Sequence, residues 1–256
     1  MGIVAIFNQK GGVGKTTTAI NLAAALSRRG RSPYGIDLDP QAQFSSINGV
    51  HANSGDDTVL ALFQRNRPLR DMLQATSAGV AIVPAHMELS KVDTLFGKGY
   101  NVVNRLNTAL KLEHFTDDDA PPVLIDCSPL IGVLTLNAVF ASTGVIIPVS
   151  ADHLSAKAAM QVEKTLKALE PVLKRRIPRR FLLTRFDARR RMGAEVQAML
   201  EERFGDDVCR TRIAENVSLA ESPAHNMTVY QHAPASRGAL DYEILLDELL
   251  EAGFFD

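Results

Sequence analysis

Short apolar runs alternate with stretches of helical periodicity along the whole chain. Ile3–Phe7, Pro33–Leu38, Val80–Ala85, Val123–Asp126 and Gly144–Val149 are runs of strand length that are apolar nearly throughout, and Phe181–Thr184 adds another. Hydrophobicity that is continuous rather than alternating predicts strands buried on both faces, as in a parallel sheet. Helical spacing is expected over Ala19–Leu26, Met87–Leu95, Asn101–Leu112, Val133–Ala138 and Leu154–Leu173, with a closing acidic helix over Ala239–Leu250. Asp57–Gln64 and Leu69–Gln74 read as shorter amphipathic helices. Within Leu154–Leu173, Val162, Leu166, Leu169 and Leu173 form a core-facing stripe. Strand and helix in alternation predict an α/β fold, a doubly wound, mostly parallel sheet with helices on both faces. One domain over residues 1–256 is expected.

Composition changes this picture little. A chain of 256 residues that is 46% hydrophobic can bury one good α/β core. The net charge of −1 excludes a uniformly basic protein, but Lys174–Arg191 holds nine Lys/Arg against one Asp. Cys127 and Cys209 are far apart and lack a metal spacing, which fits a reducing cytoplasm. No apolar run approaches the ~20 residues of a membrane span. Asp117–Asp119 reads as a solvated loop, because adjacent side chains diverge, and His225 and His232 have no ligand spacing.

The chemistry begins directly after the first apolar run. Asn8-Gln9-Lys10-Gly11-Gly12-Val13-Gly14-Lys15-Thr16-Thr17-Thr18 lies between a predicted strand and a predicted helix. That context and spacing describe a phosphate-binding loop. Glycines let backbone N–H groups close around phosphate oxygens, and the helix N-terminus adds partial positive charge. Lys15 would reach the β- and γ-phosphates and the Thr16 hydroxyl would ligate Mg²⁺. The usual Gly five residues before Gly14 is Gln9 here, and an additional lysine, Lys10, precedes Gly11. With Lys15 already on the phosphates, the expected use of Lys10 is to reach a phosphate from outside, as across a dimer interface.

Two further stretches end apolar strands in carboxylates. Asp37 and Asp39 are spaced i and i+2, the same side of a strand, at the edge of the expected ligand crevice. A carboxylate there can hold a Mg²⁺-bound water or orient the attacking water. Val123-Leu124-Ile125-Asp126 has the form of a Walker B strand, whose Asp accepts from the Mg²⁺ water shell.

The loop resembles the deviant Walker A motif, K-G-G-x-G-K-[ST], of the ParA/MinD superfamily of ATPases. Asp37-Leu38-Asp39-Pro40-Gln41 matches the family's D-x-D-P-Q, and Ala233-Pro234-Ala235-Ser236-Arg237-Gly238-Ala239 matches its P-x-S-R-G-A run. The resemblance covers nearly the whole chain and is weakest between Ala42 and Asp119. It implies ATP and Mg²⁺ as cofactors, bound at Lys10, Gly11, Gly12, Val13, Gly14, Lys15, Thr16 and Thr17, with Thr16, Asp37 and Asp126 at the metal. It also implies Lys10, Lys15 and Asp39 as catalytic residues, with Asp39 orienting water, and a homodimer that closes on ATP so that Lys10 crosses to the partner's phosphates. Hydrolysis would be slow until stimulated by a ParB-like or cargo-adaptor protein.

The family offers several surfaces to hold: nonspecific DNA for partition ATPases, membrane for MinD, a cluster-bearing dimer for the nitrogenase iron protein. The basic window points to DNA, with Arg189, Arg190 and Arg191 as contacts and a nucleoid-associated cytoplasmic location. The acidic C-terminal stretch Asp247–Asp256 argues against membrane. Two departures stand out. The family's D-x-P-P-S-L-G reads Asp126-Cys127-Ser128-Pro129-Leu130-Ile131-Gly132 here, and in Cys209–His225, which aligns with a tail run of the family, arginines common in relatives are Glu215 and Ser218. Positioning of a protein assembly such as a chemoreceptor array or carboxysome is therefore kept beside partition of DNA.

Overall fold

The computed structural model describes residues 2–97 and 99–255. Eight strands form one sheet: β1 (Ile3–Ile6), β2 (Tyr34–Asp37), β3 (Gln74–Ala75), β4 (Ala81–Val83), β5 (Val123–Asp126), β6 (Gly144–Ser150), β7 (Arg179–Phe186) and β8 (Val208–Ala214). Their order is β3-β4-β2-β5-β1-β6-β7-β8, and each pairing is parallel except β3 with β4. This is the doubly wound sheet that the apolar runs predict. Strand order turns at β1, with β5, β2 and β4 on one side and β6, β7 and β8 on the other. Such a reversal opens a crevice at the carboxyl ends of the strands, where the glycine loop leaves β1.

Strand periodicity divides the core into two layers. Ile3, Ala5 and Phe7 enter one layer and Val4 and Ile6 the other. Parallel register sets Ile3 beside Val123 and Ala5 beside Ile125 in the first, and Val4 beside Leu124 in the second. Helices Val59–Arg65, Arg105–Leu112, Val133–Ala141, His153–Leu173 and Arg191–Phe204 cover the first layer, and Lys15–Arg28 and Arg237–Glu251 the second. The expected stripe on His153–Leu173 faces the core, with Val162 and Leu166 fully buried and Leu169 and Leu173 packed at its margin. Phe254 and Phe255 are buried in the second layer. No helix among the described residues is long and apolar enough to cross a membrane.

The differences from the expected elements have local causes. The helix expected over Asn101–Leu112 is two, Tyr100–Val103 and Arg105–Leu112. At the break, the Asn104 side chain accepts from Asn107 and its carbonyl from the Thr108 hydroxyl, so local polar bonds compete with the helix ladder. Leu69–Gln74 forms a single 3₁₀ turn, Leu69–Met72, and then enters β3. Strand β8 escapes the apolar pattern because it is the sheet's outer strand and carries Arg210, Thr211 and Arg212. Side chains occupy its backbone donors: Glu248 accepts from Arg210 N at 2.7 Å and Thr211 N at 2.8 Å, and Asp241 accepts from Ala214 N at 2.9 Å. Strand β7 extends beyond Phe181–Thr184 at both ends. Arg179 joins it because its guanidinium is buried against Glu170, and Arg180 pairs with Asp207 at 3.5 Å.

One close approach ties β2 to the site. A Cβ on Gly35 would lie 2.5 Å from Cε1 of the fully buried Phe44, next to Ser45, and 3.1 Å from Ile82. Gly35→Ala is expected to cost about 1–3 kcal/mol by overpacking. Urea unfolding measures it, and an unchanged midpoint would show that Phe44 has room to move.

Candidate active site

The glycine loop is shaped by its surroundings. The Asn8 side chain donates to Pro148 O at 2.7 Å and accepts from Lys10 N at 3.0 Å, fixing the exit from β1. Gly12 and Gly14 have φ of 74° and 88°, a left-handed backbone that other residues adopt at a cost. Thr184, on β7, donates its hydroxyl to Val13 O at 2.8 Å and holds the loop from the other side. The helix starts at Lys15, and no side chain among the described residues caps it at Gly14. Its first N–H groups are therefore open to an anion. Lys15 is only 7% exposed and donates to Lys10 O at 3.1 Å. Burial lowers its pKa, and the charges of Asp126 and Asp39 oppose that shift.

Three carboxylates gather near this lysine, two at the ends of β2 and β5 and one just beyond β2. Asp126 ends β5 in register with Asp37 on β2 and Ile6 on β1. It is fully buried, and neither of its oxygens has a hydrogen-bond partner among the described residues. Burial drives its carboxyl well above the ordinary range, Asp37 pushes the same way, and Thr16 and Lys15 pull it partly back. Asp37 is equally buried but saturated: it accepts from Ser45 N at 2.9 Å, the Ser45 hydroxyl at 2.6 Å and Asp39 N at 3.1 Å. Burial raises it to about 7 despite those bonds. Asp39 stands clear of the sheet, with one oxygen accepting from Gln41 N at 3.0 Å.

The expectation that Asp37 and Asp39 share one side is corrected here. Strand β2 ends at Asp37, so the two-residue alternation stops before Asp39. Asp37 turns inward and secures the following loop, whereas Asp39 lines the cavity.

That cavity, of about 740 Å³, runs from Gly11, Lys15 and Thr16 past Asp39 to Ser128 and Leu130. Its other wall is β7 and the segment after β8, with Arg185, Glu215, Asn216 and Leu219. The size suits a nucleotide, since ligand clefts commonly span ~300–1,000 Å³. An unpartnered buried carboxylate beside a threonine hydroxyl and a lysine is also what a hydrated Mg²⁺ would complete.

A family model described as AAA domain matches residues 1–178. The chromosome-partitioning ATPase Soj of Thermus thermophilus is 38% identical over 248 residues, which are 96% of this chain and 94% of that protein. The chain belongs to the ParA/MinD superfamily of ATPases. Among solved structures, cobyrinic acid a,c-diamide synthase from Mycobacterium smegmatis, with bound ADP and magnesium, matches with a TM-score of 0.84 at 27% identity, covering 99% of this chain and 96% of that one. Apo McdA from Cyanothece shares the fold at a TM-score of 0.86 and 19% identity, covering 97% of this chain and 99% of that one.

In this single chain the additional loop lysine, Lys10, is held by the start of a neighbouring helix. Lys10 Nζ donates to Asp152 Oδ1 at 2.7 Å and to the Ser155 hydroxyl at 2.8 Å, at the start of helix His153–Leu173. Burial alone would raise the Asp152 pKa, but the bonds from Lys10 and Ser155 outweigh it and hold the carboxyl below its usual range. Cys127 is a buried thiol whose pKa burial pushes far up, as a core residue requires. The loop after β5 exposes Leu130 and is anchored by the Thr135 hydroxyl, which donates to Leu130 O at 2.6 Å.

The basic window divides between the two ends of β7. At the start, Arg175 donates to Ser142 O, Arg176 pairs with Asp207, and Arg179 with Glu170. Arg175 and Arg179 hold structure together, whereas Arg176 is an exposed ion pair. At the far end Arg189, Arg190 and Arg191 are exposed, and Arg190 lines a smaller cavity next to the first. Thr184 and Arg185 belong to this region and escaped sequence reasoning, whereas Glu215 stands out in the sequence only as the place of an absent arginine. Arg185 leaves one trace in the backbone, a positive φ of 51°, but its sequence neighbours signal nothing.

The buried carboxylates make a pH prediction. Asp37 and Asp126 have folded pKa values above their unfolded ones, so their contribution is intact below the ordinary carboxylate pKa and is lost as pH rises toward 7. Nucleotide-free protein should therefore melt at lower temperature at pH 7 than at pH 5. Asp126→Asn should raise the pH 7 midpoint by on the order of 5 °C and flatten the profile. A midpoint that climbs between pH 5 and pH 7 in the parent chain would contradict the assignment.

Proposed function

We propose that this protein is an ATP-dependent dimerising ATPase that grips nonspecific DNA in its ATP state and partitions or positions a cargo. The observation that carries the ATPase reading is Asp126, buried behind Lys15 and Thr16, which themselves line a nucleotide-sized cavity. Its likeness to Soj over nearly the full length of both chains supports the partition role.

In this reading the loop from Lys10 to Thr17 wraps the phosphates with backbone N–H groups and the open helix N-terminus. Thr16 and, through water, Asp126 would hold Mg²⁺, which supplies charge neutralisation at the phosphoryl oxygens. Asp37 acts from behind by fixing the loop that carries Asp39. Lys15 is desolvated, so its charge acts strongly on the β- and γ-phosphates. Asp39 has one oxygen tied to Gln41 N, and the other receives no hydrogen bond from the described residues, leaving it to accept from the attacking water.

Lys10 completes the site by moving. Its pair with Asp152 is about one-third exposed on each side. Such pairs are worth roughly 0.2–1 kcal/mol, so a partner subunit's phosphates can outbid Asp152. ATP would then favour the dimer, hydrolysis would release it, and an adaptor protein would set the rate. Burial of Phe254 and Phe255 removes the apolar anchors that a membrane-bound alternative needs.

Two substitutions separate binding from turnover. Lys15→Ala should abolish ATP binding in a fluorescent-nucleotide titration. Asp39→Ala should keep ATP binding, lose hydrolysis by about 10²-fold or more, and accumulate dimer in light scattering. A variant at Asp39 that remains monomeric at saturating ATP would contradict its role.

A further inference from the structure

The arginine face carries its own competitor. Glu215 Oε1 lies 3.8 Å from Arg185 Nη2, and Glu215 Oε2 lies 3.5 Å from Arg190 Nη2. The backbone holds the acid in place, since Glu215 N donates to Phe186 O at 3.0 Å and extends the β7–β8 pairing. Arg185 is turned toward it by a left-handed backbone at φ 51°, a strained state that structures keep where geometry matters.

The neighbouring carboxylates behave differently. Asp187 is 11% exposed and holds Arg189 through two bonds of 3.0 Å, with Arg190 at 3.3 Å, which pulls its pKa to about 2 through those bonds. Arg191 is paired with Glu195 at 2.7 Å. Glu215 is more exposed than Asp187, and its ion pairs, at 3.8 and 3.5 Å, are longer than those of Asp187 and of Glu195 with Arg191. It is the loosest acid on this surface. It also lines both the nucleotide cavity and the adjoining cavity of about 300 Å³ that contains Lys10, Gly11 and Arg190.

We infer that Glu215 is an internal substitute for nucleic-acid phosphate, which occupies Arg185 and Arg190 in the resting chain and gives them up to a duplex backbone. The inference rests on the DNA-binding reading above. Two oxygens spanning two guanidinium groups reproduce what a phosphate offers. The position of Glu215 on the cavity wall adds regulation: a polyanion in the cavity repels Glu215 and attracts Arg185, which weakens the masking pair.

The test measures a fluorescein-labelled duplex of random sequence by anisotropy, without nucleotide and with ATP, at two salt concentrations. Glu215→Gln should tighten binding of nucleotide-free protein by about fivefold, equivalent to ~1 kcal/mol for released surface ion pairs. Its salt dependence should steepen by about 0.9 for each additional phosphate that the released arginines neutralise. The ratio between ATP-bound and nucleotide-free affinity should shrink. In an Arg185→Gln, Arg190→Gln background the tightening should fall below about twofold, because the masked groups are gone.

Duplex binding by the parent chain with no change in Glu215→Gln would overturn the inference and leave the DNA reading standing. Tightening that survives loss of both arginines would overturn it too, as general charge reduction. No duplex binding by either protein in any nucleotide state would remove both. Capture by anionic phospholipid vesicles with no duplex binding would overturn it by giving the arginine face a membrane partner instead.

Discussion

A carboxylate buried without a partner organises this molecule. Ionised and unpaired, Asp126 would cost several kcal/mol, so the chain without ligand holds it toward the protonated form. Thr16 and Lys15 relieve that cost only in part. Asp37, its register neighbour on β2, adds repulsion and spends its own oxygens on Ser45 and the Asp39 backbone. Lys15 is near enough to influence it but donates to the Lys10 carbonyl. A cation held by Asp126 and Thr16, with an anion at the helix N-terminus, would resolve the imbalance. The site is thus built incomplete, and Mg²⁺ with nucleotide phosphates supplies charges of the required sign on each side.

Sheet topology makes that incompleteness reproducible. Strands β1, β2 and β5 come together from widely separated parts of the chain, and their shared register brings Ile6, Asp37 and Asp126 to one level. Close approaches enforce it: Gly35 leaves room for Phe44, and Thr184 reaches across from β7 to hold the glycine loop. The same β7 then continues into Arg185 and the exposed arginines. Strand β7 thus links the glycine loop, which Thr184 holds, to the proposed DNA surface beyond its end, with Glu215 beside Arg185 and Arg190.

How much of this was legible depends on the range of the interactions. The glycine loop could be read because its chemistry is local: Gly12, Gly14, Lys15 and Thr16 act through backbone shape and a helix start that adjacent residues dictate. Asp126 could be read because it ends a short, wholly apolar run, Val123–Ile125, that a buried parallel strand leaves before it. Asp37 was misjudged in orientation, since alternation holds only within a strand and β2 ends there. Strand β8 was missed because an outer strand needs few apolar residues and is completed by Glu248 and Asp241 from a distant helix. The basic window looked uniform in sequence, yet tertiary pairs divide it into arginines that hold structure and arginines that face outward. The pairing of Lys10 with Asp152 is likewise non-local, joining positions that no motif connects.

The central claim is that nucleotide state controls the grip on DNA. Its most direct measurement is binding of the purified parent chain to a nonspecific duplex with ATP, with ADP and without nucleotide, repeated at higher salt. The account predicts tight binding with ATP that weakens steeply as salt rises, and weak binding in the other two states. Equal affinity in all three states, or no binding in any, would contradict it.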